Sequence, residues 1–249
     1  VGGDGSAYFT NIVHGTIGKL SPDGTVSNIA ILKEGVNSIT LRDKNRLYVG
    51  LDFSGDGLWE VDLTGSEKPR EILKTPGWIN GSDFGPDGFL YAPRWSKKSI
   101  VRIDPDSGKM KTLSTDFDSL AAAVKFNKKG QLFALEHNPT HVIRVDLQSG
   151  KRTILASHPQ IGDNLAFDSQ DRLFFTSAEN GSIHEMLSGG KLRVVKKGGL
   201  VQPSGIVISE QNGIERVMVM STSALVTYDG ISGKKLDHKH LGYEQGVFR

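Results

Sequence analysis

The chain has 249 residues, with 30 lysines and arginines against 28 aspartates and glutamates, 30 glycines and no cysteine. A net charge of +2 with no run of five or six like charges argues against a dedicated nucleic-acid surface, and no apolar stretch approaches the roughly 18 residues that span a membrane. The lack of cysteine excludes disulfides, thiolate metal sites and cysteine nucleophiles, and it leaves the redox compartment open.

A β-hairpin pattern recurs along the chain. Each copy has a short apolar strand, a polar turn that ends in Gly, Asn or Asp, and a second apolar strand, which together are typical of a hairpin. In chain order the copies are NSITLRDKNRLYVG from Asn37, NGSDFGPDGFLYAP from Asn80, AAVKFNKKGQLFAL from Ala122, DNLAFDSQDRLFFT from Asp163 and a degraded copy from Ser204.

A second hairpin follows each of these copies. In it, a strand such as LWEVDL or VIRVDL runs into a turn that begins with Asp and ends with Gly. Four short antiparallel strands that repeat every 40 to 43 residues are typical of a β-propeller blade. The sequence therefore predicts an all-β fold, a six-bladed β-propeller with four antiparallel strands per blade, as a single domain over residues 1–249.

The two ends of the chain are predicted to share one blade. The sixth period opens at Glu244 in EQGVFR, and the strand that would follow it, SAYFTN, lies near the N-terminus. A blade built from both ends closes the ring without an open sheet edge. The alternative is that EQGVFR is a loose tail, in which case the ring has five and a half blades.

The topology of a propeller predicts which residues meet at one channel mouth, namely those that open the first strand of each blade. Here they are Asn37, Asn80, Ala122, Asp163, Ser204 and Glu244. Carboxylate and amide oxygens are ligands that Ca²⁺ prefers, so this set predicts a divalent metal site. Taken singly, an Asn or Asp at such a position also serves as a local cap of the strand entry.

The loops after each second strand return to the same mouth. His14 and His137 lie on these loops and, with Asp163, are candidate general bases, although a structural hydrogen-bonding role is the alternative for each histidine. Phe53 is expected to pack between blades. The candidate substrate-binding residues are Arg94, Trp95, Trp78, Glu136 and Asn180, and for Trp95 packing between blades is an equal alternative.

With these motifs the sequence resembles the gluconolactonase family, which includes the senescence marker protein and luciferin-regenerating enzyme, with paraoxonases and diisopropyl fluorophosphatase as distant relatives. The resemblance implies a six-bladed propeller with a divalent metal, usually calcium. It implies Glu244, Asn80 and Asp163 as ligands, with Asn37 as a possible substitute, because Ala122 stands where the family has an asparagine. Trp78 also replaces a family arginine, which argues against sugar-lactone recognition.

Three functions are compatible with these patterns. The first is metal-dependent hydrolysis of a lactone or ester at the channel mouth, in which the cation polarises the carbonyl. The second is elimination by a propeller lyase that resembles the streptogramin-inactivating enzymes, and the third is a propeller that binds a ligand or protein without catalysis. We expect a monomer that acts on a small molecule, with no nucleic-acid or membrane partner.

Overall fold

Alternation of buried and exposed residues determines part of the secondary structure. The computed structural model describes residues 2–211, 214–222 and 224–241, and most of them form β-strands. In strand β4 (Val36–Leu41) the first, third and fifth residues are buried and the residues between them are partly exposed, whereas strands such as Leu132–Glu136 and Leu173–Ser177 are buried along their whole length. The period of two in β4 is the one that a strand with two different faces requires.

The chain divides into two units, Val1–Asp116 and Phe117–Arg249. The first unit contains three antiparallel sheets, in each of which consecutive strands pair in chain order. Their strands are β1 (Ala7–Asn11), β2 (Thr16–Leu20) and β3 (Val26–Ile31); β4, β5 (Arg46–Leu51), β6 (Gly57–Asp62) and β7 (Arg70–Leu73); and β8 (Asp83–Phe84), β9 (Leu90–Arg94), β10 (Ser99–Ile103) and β11 (Met110–Ser114).

The second unit also contains three sheets, each with four antiparallel strands in chain order. These are β12 (Ala121–Phe126), β13 (Leu132–Glu136), β14 (Thr140–Val145) and β15 (Arg152–His158); β16 (Gly162–Phe167), β17 (Leu173–Ser177), β18 (Ser182–Met186) and β19 (Leu192–Lys196); and β20 (Pro203–Gln211), β21 (Ile214–Ser221), β22 (Ala224–Asp229) and β23 (Lys235–His240).

The fold is a six-bladed β-propeller, as the repeat predicts, and each sheet is one blade. Five sheets have four strands, and the first has three within the described residues. The strand predicted to complete the first sheet, from Glu244 to Arg249, lies outside the described residues, so closure of the ring by both chain ends stays a prediction.

The hydrophobic core consists of layers between consecutive sheets. In the first unit, Val36, Leu47 and Ile17 form one layer and Tyr48, Ile79 and Leu90 belong to the next. In the second unit, Leu135 and Phe175 lie in the layer between the fourth and fifth sheets, and a further layer lies between the fifth and sixth. Because each layer takes residues from two neighbouring blades, blades stabilise each other within a unit.

The helices in the described part of the chain are two short 3₁₀ turns, Trp95–Lys97 and Ser188–Gly190. Among these residues no helix has the length and apolar character needed to cross a bilayer.

Candidate functional site

Five predicted strand-opening residues lie within the described part of the chain, and four of them lie at irregularities in sheet pairing. The pairing between first and second strands skips from Val36 to Ser38, from Ala121 to Ala123, from Gly162 to Leu165 and from Pro203 to Ile206. The skipped residues include Asn37, Ala122, Asp163 and Ser204. β-Bulges of this kind often re-aim a side chain beside an active site. In the third sheet, Asn80 follows an isolated bridge at Ile79, and its N–H donates to the Pro93 carbonyl at 3.3 Å.

In the first unit, the two predicted asparagine ligands have local partners. The Asn37 side-chain amide donates a hydrogen bond to the Asp52 carboxylate at 2.5 Å. The side-chain oxygen of Asn80 accepts a hydrogen bond from the Gly81 backbone N–H at 2.8 Å, and Asn80 is buried. An oxygen that already accepts one hydrogen bond keeps a second lone pair, so local capping and metal ligation are chemically compatible at Asn80.

An aromatic cluster lies on the loops of the first unit. The Phe53 ring centroid is 6.0 Å from that of Trp78 and 6.4 Å from that of Trp95. Phe53 therefore packs against two aromatic residues of the next blade, as predicted, and 52% of its surface stays exposed. Phe53 and Trp78 have left-handed backbone angles (φ 55° and 62°), and the Asp56 carboxylate holds Trp78 in place by accepting its N–H at 2.9 Å. Such conformations in bulky residues are strained and are concentrated at functional sites.

Two further predicted residues of the first unit lie near strand ends. His14 is exposed in the turn after β1, where its backbone N–H donates to the Asn11 side chain at 3.2 Å. Arg94 ends β9, and its Nε donates to Ser99 Oγ at 3.0 Å, which fixes the guanidinium beside the 3₁₀ turn that begins with Trp95.

In the second unit, His137 contacts the backbone of the residue before Asp163 at the entrance to β16. His137 Nδ1 lies 2.7 Å from the carbonyl oxygen of Gly162, the residue before Asp163, and the Gly162 N–H donates back to the His137 carbonyl at 3.0 Å. Asp163 keeps part of its surface accessible, but the surrounding protein removes water from its carboxyl group and raises its pKa to about 6. Desolvation lowers the pKa of His137, and the hydrogen bond to Gly162 opposes this shift.

The other two predicted binding residues of this unit are held by neighbouring side chains. Glu136 is fully buried, and its carboxylate lies 2.7 Å from His141 Nδ1 and accepts the Ser119 N–H at 3.3 Å. Asn180 donates to the Gln160 side chain and accepts from Ser182. Both side chains are therefore parts of fixed polar networks.

Sequence reasoning missed Asp118 and His141. Together with Glu136 they form a group whose ligand atoms all lie within 4.8 Å of one another. The sequence contains one signal, a Glu and a His at the two ends of the tight β13–β14 connection in EHNPTH, but nothing in it connects Asp118 to that pair.

No protein-family model matches the chain, and no curated protein matches it in sequence. Solved structures match it in fold. A chain of a nidogen/laminin complex superposes with a TM-score of 0.79 at 17% identity, covering 94% of this chain and 92% of that one. Virginiamycin B lyase from Staphylococcus aureus superposes with a TM-score of 0.73 at 15% identity, covering 98% of this chain and 83% of that one. A gluconolactonase from Xanthomonas campestris superposes with a TM-score of 0.71 at 13% identity, covering 83% of this chain and 76% of that one. At such identities these likenesses establish the propeller fold alone, and they include both enzymes and a chain of a nidogen/laminin complex.

The calcium ligands implied by the family resemblance come from both units of the chain and from residues outside the described part. Asn37 and Asn80 belong to the first unit, Asp163 belongs to the second, and Glu244 lies outside the described residues. The donors are oxygens of the kind that calcium takes, so their chemistry fits the ion.

Proposed function

We propose that the protein hydrolyses an ester or lactone, with Asp163 and His137 as its proton-transfer groups. The observation that supports this most directly is the bulge at the entrance to β16. It takes Asp163 out of the sheet pairing, and the His137 ring is fixed on the carbonyl of the adjacent Gly162. A desolvated carboxyl and an imidazole near the same strand entrance are suited to activate water.

In this proposal Asp163 takes a proton from the attacking water and passes it to the leaving oxygen, and His137 or His14 is the alternative base for the same step. When bound by Glu244, Asn80, Asp163 and Asn37, calcium would supply positive charge that polarises the carbonyl group of the substrate. Trp78, Trp95 and Arg94 remain the proposed substrate contacts of the first unit, and Glu136 and Asn180 those of the second.

The test is hydrolysis of a panel of aryl esters and aliphatic lactones by wild-type protein and by Asp163→Asn and His137→Gln. Loss of a general base typically costs about 10²- to 10⁴-fold, and we expect a loss in kcat/KM of that size for Asp163→Asn. His240→Gln is the matched control, because His240 is an exposed histidine of β23 that has no part in the proposed mechanism. Full activity in Asp163→Asn would refute this mechanism.

A second candidate is ring opening by elimination, which is favoured by the desolvated imidazole of His137, a neutral base at neutral pH. The mass of the product separates the two reactions, because hydrolysis adds one water to the substrate and elimination adds none. A protein that binds these compounds but converts none of them would support the non-catalytic alternative.

A further inference from the structure

Three side chains of the second unit converge at one end of its first sheet. Asp118 lies on the segment before β12, Glu136 ends β13 and His141 is the second residue of β14. Their ligand atoms lie within 4.8 Å of one another, and among the described residues no other group of three His or acidic side chains does so. None of the three belongs to the calcium set that the family resemblance implies.

The cluster contains two carboxylates and one imidazole, which are groups that bind metal cations. Glu136 is 0% exposed, and a buried carboxylate is costly unless it is paired and hydrogen-bonded. Its observed partners are His141 Nδ1 at 2.7 Å and the Ser119 N–H at the long distance of 3.3 Å. Asp118 adds a carboxylate oxygen within 4.8 Å of the other two ligand atoms, so the three groups offer two oxygens and one nitrogen at one place.

The backbone around the cluster holds the three groups in place before any ion binds. The His137 N–H donates to the Leu120 carbonyl at 2.8 Å, and the Asn138 N–H donates to Ser119 Oγ at 3.2 Å. On the other side, Thr140 Oγ1 donates to the Gln160 carbonyl at 2.6 Å. These bonds tie the segment that carries Asp118 to the β13–β14 connection, so the site is preorganised.

The ligand types select the class of metal. One imidazole nitrogen and two carboxylate oxygens suit Zn²⁺ and its neighbours such as Co²⁺ or Mn²⁺, whereas Ca²⁺ takes oxygen ligands. Three protein ligands leave the fourth zinc position to a water molecule or other small ligand. Asp118 is exposed, so an ion can enter from its side while Glu136 closes the inner side.

We propose that Asp118, Glu136 and His141 bind a divalent transition metal, with Zn²⁺ as the first choice; this assigns Glu136 to the metal in place of the substrate contact proposed above. On binding, the metal replaces the hydrogen bond between Glu136 and His141, and any proton on His141 Nδ1 is released to solvent. This site does not depend on the proposed hydrolase activity.

The test is zinc and cobalt binding to untagged full-length protein after treatment with a chelator, followed by calorimetry and by the visible absorption of bound Co²⁺. We expect about one ion per chain and a rise in melting temperature with Zn²⁺, because the ion binds the folded state. Asp118→Asn and His141→Gln should each weaken binding at least tenfold. His14→Gln and Glu210→Gln, which alter exposed side chains elsewhere, should bind as wild type does.

Zinc binding and hydrolytic activity are measured separately, so a wrong metal site can be distinguished from a wrong hydrolase mechanism. Unchanged zinc affinity in both Asp118→Asn and His141→Gln, or no binding at micromolar Zn²⁺, would overturn the metal site whatever Asp163→Asn does to activity. Because Asp118 is exposed, its variant is expected to fold, and a circular dichroism spectrum like that of wild type verifies this.

Discussion

His184 is a buried imidazole within a polar and aromatic cluster of the second unit. It is 4% exposed, its ring stacks on Phe175 with centroids 5.1 Å apart, and its Nε2 lies 2.6 Å from Ser182 Oγ. The His158 ring lies 4.4 Å away, and His184 Nδ1 has no hydrogen-bond partner among the described residues. Desolvation, reinforced by the nearby His158, lowers the pKa of His184 to about 4.

This shift predicts a loss of stability in mild acid. As pH falls below about 6.5, the unfolded chain protonates at His184 while the folded protein does not until about pH 4. The stabilising contribution is therefore complete above pH 6.5 and decreases between pH 6.5 and 4. We expect His184→Gln to reduce the drop in melting temperature between pH 7 and pH 5, measured by thermal unfolding, and the exposed His14→Gln to leave the drop unchanged. An unchanged drop in His184→Gln would contradict this assignment.

Arg172 bridges two carboxylates from neighbouring sheets. It lies four residues after Asp168, to which its Nε donates at 2.5 Å, and it also pairs with Glu215 on β21. The Asp168 side chain is fully buried and that of Glu215 is 9% exposed. One guanidinium therefore compensates two carboxylates that have little access to water.

Removal of this guanidinium is expected to be costly. Arg172→Met leaves two buried carboxylates without their cation, and breaking a buried ion pair from one side costs about 3 to 5 kcal/mol. The free energy of unfolding in urea measures the loss. Arg144→Met, at an exposed position of β14, is the control and should change stability by less than about 0.5 kcal/mol. Similar losses in the two variants would argue against the bridge.

At the scale of the element, the turns between the third and fourth strands differ in packing: one packs against the preceding blade and another has open space beside its glycine. Gly65 and Gly233 end such turns, with left-handed φ angles of 74° and 68°. A Cβ atom on Gly233 would overlap the carbonyl oxygen of Val195 on β19, whereas a Cβ on Gly65 meets no described atom within 4 Å. The turn at Gly233 thus packs against the preceding blade, and the turn at Gly65 has open space.

Alanine substitutions at the two glycines compare the energetic cost of backbone strain alone with the cost of strain plus a steric clash. Gly65→Ala should cost about 1 to 2 kcal/mol, because an L-residue resists the left-handed conformation. Gly233→Ala carries the same cost and must also displace β19 or the turn, so we expect a loss of at least about 3 kcal/mol. Urea unfolding of both variants compares them, and equal losses would show that the contact with Val195 is unimportant.

At the scale of the whole molecule, the sequence predicts the blades because their signals are local. Alternation over five or six residues, a glycine-bearing turn and a period of 40 to 43 residues need no knowledge of tertiary contacts. The same period also identifies the register of Asn37 and Asp163 at the strand entrances, where the structure has its bulges.

The parts of the site that sequence reasoning missed depend on contacts between distant segments. Asp118 approaches Glu136 and His141 only once β12, β13 and β14 are paired, and no spacing rule relates these three positions. Phe53 has a left-handed backbone and packs against Trp78 while 52% of its surface stays exposed. The geometry of a loop determines such a position, and the periodicity of strands contains no information about loop geometry.

The bulges at the strand entrances have a consequence for how this protein can change over evolution. A residue that the sheet does not pair is free of the ladder's demands, so its identity can vary while the blade stays intact. Equivalent entrances carry Asn37, Ala122, Asp163 and Ser204, an amide, a methyl group, an acid and a hydroxyl, on one repeated backbone pattern. The propeller thus presents four different side-chain chemistries on one repeated backbone pattern at the entrances to its first strands, and the space around each side chain, as at the fully buried Ala122, limits what can replace it.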